Sequence, residues 1–188
     1  LGHGERIRAG LFSVDGRHIL TASDDGTARI WQTQGRLLSS LPVGEDAVAF
    51  AEFSRDGKYL ATAIQDGTVE ILDAVTGARL AALNEHGGEV YGVAFSPDGA
   101  QVVTASQDMT GKVWDWQSGR VVATLRGHEG AVTSASYSRQ GDRIVTASED
   151  ATARIWDAVT GELLRVLDSG GSGLRGAEFS PDGSQVVT

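Results

Sequence analysis

No cysteine occurs in this chain, so disulfide bonds and thiolate metal sites are excluded, and the lack fits a reducing compartment. Proline is scarce too, at three residues, and Pro97 and Pro181 hold the same place in two related stretches. Basic side chains are outnumbered, with 16 Lys and Arg against 25 Asp and Glu, for a formal net charge of −9. They form no cluster, so the electrostatic footprint of a nucleic-acid binder is missing and no nucleic-acid partner is expected. No apolar run approaches the length of a membrane helix, and the first residues lack the charged-then-apolar pattern of a signal segment. The expectation is a soluble, cytoplasmic chain with no membrane partner.

Glycine, by contrast, is plentiful at 25 residues, among short runs of Val, Ile, Thr and aromatics. That mixture favours many strands and tight turns. The strongest signal is a repeat. The aromatic closing the first apolar run recurs as Phe12, Phe53, Phe95, Tyr137 and Phe179, spaced 41, 42, 42 and 42 residues apart. Within 127–168 the apolar period is near two, broken by turn signals every eight to ten residues. This predicts strands at Val132–Ser138, Arg143–Ser148, Thr152–Asp157 and Leu163–Leu167. Turns are expected at Arg139-Gln140-Gly141-Asp142, Glu149-Asp150-Ala151 and Thr160-Gly161. The sister stretches Ser96-Pro97-Asp98-Gly99 and Ser180-Pro181-Asp182-Gly183 specify the first turn, because Pro sets φ early and Gly accepts a positive φ at the end. Four antiparallel strands per repeat make a sheet that is apolar on both faces and must stack on copies of itself.

Four columns of the aligned repeats carry polar or indole groups at fixed places: His3, His86 and His128; Ser23, Ser106 and Ser148; Asp25, Asp108 and Asp150; Trp31, Trp114 and Trp156. Ser, His and Asp in one unit invite the idea of a hydrolytic triad. A reaction needs one centre, however, and this set occurs three times at the same spacing. In the second repeat the columns read Gly44, Ile64, Asp66 and Leu72, so His, Ser and Trp are lost together. Asp24-Asp25-Gly26 lacks the remaining ligands of a calcium loop, and Gly170-Gly171-Ser172-Gly173 precedes a strand where a phosphate cradle needs a helix. No catalytic residue, metal or cofactor is assigned.

Gly127-His128, Ser148-x-Asp150 and Trp156-Asp157 together resemble the WD40 repeat, and phased copies cover the whole chain. The tract FSPDG…VVTAS…DAxTGxLL is similar to bacterial members. The resemblance implies an all-β fold, a partial β-propeller of four full four-stranded antiparallel blades plus half of a fifth. It would form one domain over 1–188, with repeats at 1–43, 44–84, 85–126 and 127–168 and a truncated one at 169–188. It also implies that the four columns form a structural relay running from the Trp indole through Ser and His to Asp. Family propellers commonly have seven blades, whereas this chain opens at Leu1 on a Gly-His turn and stops at Thr188 within a second strand. The expectation is therefore a fragment of a longer protein, with further domains such as a kinase, switch or protease as partners in the same chain.

If the constant columns build the scaffold, the varying ones can read a partner. They are Arg8, Ala49, Tyr91, Thr133 and Arg175 near the start of the first strand, and Arg6, Ala47, Glu89, Ala131 and Gly173 two places earlier. A third runs Asp24, Gln65, Gln107 and Glu149, before the relay Asp. The resemblance implies that these positions share one rim of the disc. Candidate contacts for a protein or peptide ligand are Arg6, Arg8, Asp24, Gln65, Glu89, Tyr91, Gln107, Thr133, Glu149 and Arg175, with Arg6, Arg8, Tyr91 and Arg175 as anchors, since Tyr and Arg carry much interface energy. The function expected is a non-catalytic interaction scaffold or sensor platform. The alternatives are a homo-oligomer of partial propellers and a propeller enzyme whose site lies outside these residues. Glu52 and Glu178 are the only acids in their first-strand column, too few for an enzyme's channel.

Overall fold

A computed structural model describes residues 2–43 and 46–188; Gly44, the second repeat's member of the His column, lies outside them. All regular structure among the described residues is strand. The first sheet comprises β1 (Ile7–Phe12), β2 (His18–Ser23), β3 (Thr27–Gln32) and β4 (Leu37–Pro42). The second comprises β5 (Val48–Phe53), β6 (Tyr59–Ile64), β7 (Val69–Asp73) and β8 (Arg79–Leu83). The third holds β9 (Val90–Phe95), β10 (Gln101–Ser106), β11 (Gly111–Asp115) and β12 (Arg120–Leu125). The fourth holds β13 (Val132–Tyr137), β14 (Arg143–Ser148), β15 (Thr152–Asp157) and β16 (Leu163–Asp168), and β17 (Glu178–Phe179) pairs with β18 (Val186–Val187). Each four-stranded sheet is an antiparallel meander in chain order.

Two predicted strand ends shift. β13 stops at Tyr137 because Ser138 already belongs to the turn, where its hydroxyl donates to Asp142 and accepts the Arg143 N–H. β16 runs on to Asp168, whose pairing with Thr152 extends the ladder. The turns follow the expected chemistry: in the third sheet the Gly99 N–H closes on the Ser96 carbonyl at 2.8 Å, with Gly99 at φ 73°.

The cores lie between sheets. Leu20, Ile30 and Leu41 of the first sheet pack with Val48, Leu60 and Leu72 of the second. Val69, Ile71 and Leu83 of the second meet Val93, Val102 and Trp114 of the third. Val113 and Leu125 of the third meet Ile144 and Trp156 of the fourth. Each sheet thus depends on its neighbours, which is how a stacked array is stabilised. The first strands lie innermost and side by side, β5 against β1 and β9, and β13 against β9 and β17. Side chains tie some of them together: Thr133 Oγ1 donates to the Leu174 carbonyl at 2.9 Å, and the Ala177 N–H donates to Ser134 Oγ at 3.0 Å.

Candidate functional site

Two sets of residues compete as the site, the repeated polar network and the varied positions at the strand starts. The network forms in the first, third and fourth sheets, with one correction. The hydroxyl between indole and imidazole belongs to Thr21, Thr104 and Thr146, not to Ser23, Ser106 and Ser148. Trp31, Trp114 and Trp156 donate their indole N–H to these threonines at 2.8, 3.0 and 2.9 Å. The same hydroxyls lie 2.7, 2.6 and 2.7 Å from Nε2 of His3, His86 and His128. Each imidazole Nδ1 then reaches Asp25, Asp108 or Asp150 at 2.9, 2.8 and 2.8 Å. The reason is register: Trp156 pairs with Ile144, so its indole reaches diagonally to Thr146, two residues on, whereas Ser148 is four residues away, roughly 13 Å along the strand.

The serines serve the same loops differently. Ser106 Oγ donates to the carbonyls of Gly88 and Glu89 and accepts the Asp108 N–H, and Ser148 does likewise with Gly130 and Asp150. Ser23 accepts the Asp25 N–H. They hold the turn that carries the aspartate. A covering cation is a further member that was not anticipated: Arg29 bonds Asp25, Arg154 lies near Asp150, and Lys112 sits over the Trp114 ring. In the second sheet that position is Glu70, paired instead with Arg79 at 2.8 Å.

The proton positions follow from charge. Burial alone would raise the aspartates, but bonds from Thr110, His86 and the Gly87 N–H outweigh it and hold Asp108 down at about 2. Asp25 and Asp150 are held well below the usual carboxylate range in the same way. A carboxylate only accepts, so each Nδ1 carries a hydrogen. Burial pushes His86 and His128 below the ordinary imidazole value despite the facing aspartates, leaving them neutral near pH 7. Nε2 then accepts the threonine O–H, which accepts the indole N–H. Thr–His–Asp stands in the order of a nucleophilic triad, but Thr104 and Thr146 have no exposed surface and each is capped by an indole. The geometry suits a buried structural relay.

In the second sheet Ile64 and Leu72 are buried, Asp66 caps the Thr68 N–H at 2.8 Å, and Thr62 donates to the Glu70 carbonyl. Thr62 is satisfied without the relay, so its column stays constant while the His, Ser and Trp columns change.

The varied positions gather at one end of the innermost strands. Every first strand of the four large sheets carries a register shift that skips one residue: Arg8, Ala49, Tyr91 and Thr133. A bulge leaves its extra residue outside the ladder and re-aims the side chain. All four, with Arg175, line a cavity of about 570 Å³ between the first strands. The other two columns meet by backbone bonds, the Asp24 N–H to the Arg6 carbonyl, Gln65 to Ala47, Gln107 to Glu89 and Glu149 to Ala131, at 2.9–3.1 Å. Arg6, Asp24, Gln65, Glu89, Gln107 and Glu149 thus stand outside the cavity mouth, and Asp24 binds the Arg8 guanidinium. Thr133 differs from its column, because its hydroxyl is held by the carbonyls of Ala147 and Leu174. Farther along the strands, Glu52 and Glu178 line the same cavity. The bulge is not legible in a period-two pattern; the only signal for it is that this column varies where the one before it, Ile7, Val48, Val90 and Val132, stays apolar.

The family model described as "WD domain, G-beta repeat" matches residues 1–32, 77–115 and 119–157, more than half of the chain. Each match ends one residue past a relay Trp, and β4 to β7, which includes most of the sheet without a relay, is left out. No curated protein matches the chain. The repeats, the four-stranded meanders and the threefold Trp-to-Asp relay agree with that match: the chain belongs to the WD40 repeat family, and its sheets are propeller blades.

Proposed function

We propose that the protein is a display scaffold that binds a peptide or a protein segment at the mouth of the cavity between its first strands. WD40 repeats generally mediate protein–protein interactions and are generally non-catalytic. The observation that carries the reading is the row of bulges, which lifts one varied side chain per blade out of the ladder and places it at the cavity mouth. Arg8 and Arg175 are exposed and Tyr91 is half-buried, so two charged forks and one aromatic platform are offered together. Arg6, Glu89 and Glu149 on the surrounding turns supply the polar rim. The buried relay keeps the turns in place and takes no part in contact.

Selection of peptides from a displayed random library tests this directly. The selected peptides should lose at least tenfold in affinity for the double variant Arg8→Glu/Arg175→Glu. They should bind Arg55→Glu/Arg139→Glu, altered at the opposite end of the strands, like the parent. Selected peptides that ignore the first pair would contradict the assignment, as would a selection that yields none.

A further inference from the structure

The cavity below the mouth is built for one kind of side chain. Glu52 on β5 and Glu178 on β17 both line it, three residues along their strands from Ala49 and Arg175, roughly 10 Å deeper. Glu52 also lines a second cavity of about 300 Å³ at the far end, together with Ser136, Arg55 and Arg139, so it stands where the two meet. One Glu52 oxygen accepts the Phe95 N–H at 3.3 Å. The other has no hydrogen-bond partner among the described residues, and neither carboxylate has an ion-pair partner there. The mouth arginines do not neutralise them, since Arg8 is bound to Asp24 and Arg175 is exposed. Glu52 is half-buried and Glu178 exposed, so one cavity carries two carboxylates with no cation beside them, in a chain of net charge −9.

The geometry points to a site for a Lys or Arg side chain of the bound peptide, inserted through the mouth past Tyr91 so that its charged end lies between Glu52 and Glu178. This rests on the display reading above and adds the chemistry of the partner. A long stem with a terminal charge suits an apolar-walled entry, here Ala49, Phe50, Gly92 and Val93, that ends at carboxylates. A divalent ion is the poorer fit, because it needs six or more oxygens and the cavity offers two carboxylates. Glu52 is pushed up to about 7, mainly by burial; the Phe95 N–H pulls it down and the Glu178 charge pushes it further up. The other titratable groups around the two cavities are Glu178, with Arg8, Tyr91 and Arg175 at the mouth, and Tyr137, Arg55 and Arg139 at the far end. A bound cation takes the place of the Glu52 proton.

n-Butylguanidinium, a side-chain mimic that stays charged over the whole range, is titrated into the protein while backbone amide shifts are followed by NMR. The Phe95 amide, bonded to Glu52, should respond saturably, and affinity should rise about fivefold or more from pH 6 to pH 8 as Glu52 ionises. Glu52→Gln, which can still accept the Phe95 N–H, should weaken binding at least fivefold and remove the pH dependence. Glu178→Gln, at an exposed position, should weaken it with the fold unchanged. An equal response to 1-pentanol, no saturable response at Phe95, or unchanged binding by Glu52→Gln would overturn the proposal, as would a response to calcium chloride in place of the guanidinium. If library peptides still depend on Arg8 and Arg175 while the mimic fails to bind, this site is wrong and the display reading stands. If no peptide is selected either, both fall.

Discussion

At the scale of single residues, the turn between the second and third strands of each blade holds the clearest strain. Its third position is Gly26 at φ 72° and Gly67 at φ 93°, but Met109 and Ala151 take φ 66° with a side chain attached. A left-handed conformation costs an L-residue roughly 1–2 kcal/mol, partly offset by the greater chain entropy of glycine when unfolded. Ala151→Gly should therefore raise stability by about 0.5–1 kcal/mol, read as a higher denaturation midpoint at unchanged slope. Thr146→Val leaves the Trp156 indole and His128 Nε2 without partners and should cost roughly 1–3 kcal/mol. Thr62→Val removes one bond to a carbonyl at 3.4 Å and should cost less than about 1 kcal/mol, measured the same way. The relay's Trp and His were legible in the sequence because they vanish together in the second repeat, and its Asp because it recurs at a fixed place. Its hydroxyl was not, since threonine is present in every repeat, including the one with no relay, and carries no covariation. Ser148 looked like the member because Ile64 replaces it where the Trp is lost; what it does is hold the aspartate's turn.

Blades, the elements of this fold, differ in their response to acid. His86 and His128 have folded values below the ordinary imidazole value, so the unfolded chain binds more protons just beneath it. Their contribution is complete above about pH 6.5 and falls as pH drops from there toward the folded values. A second window opens below about pH 4, where the depressed aspartates take up protons, Asp108 first at about 2. The second blade has no relay histidine. Hydrogen exchange at pH 7.5 and pH 5 should thus show protection of the Ile144–Ala147 amides falling more than that of the Leu60–Ala63 amides. An equal drop in both blades would contradict a blade-local role for the imidazoles. Most of this level was readable beforehand: turn chemistry and the alternation of apolar residues locate the strands to within a residue in the fourth blade. The bulges were not, because skipping one residue leaves the apolar alternation of the rest of the strand intact, and only the pairing with the second strand reveals the slip.

For the molecule as a whole, the division of labour is between a constant interior and a varied mouth. Cores between successive blades and the buried relay make the scaffold, and the bulged column with its surrounding turns makes the display. The two should separate experimentally. The most direct measurement is one affinity titration with a library-selected peptide, paired with a thermal melt, on Arg8→Glu/Arg175→Glu and on Trp156→Phe. The mouth variant should lose at least tenfold in affinity with its melting temperature unchanged. The relay variant should melt several degrees lower and, below its transition, bind like the parent. Lost affinity in Trp156→Phe while it remains folded, or full affinity in the mouth variant, would contradict the account.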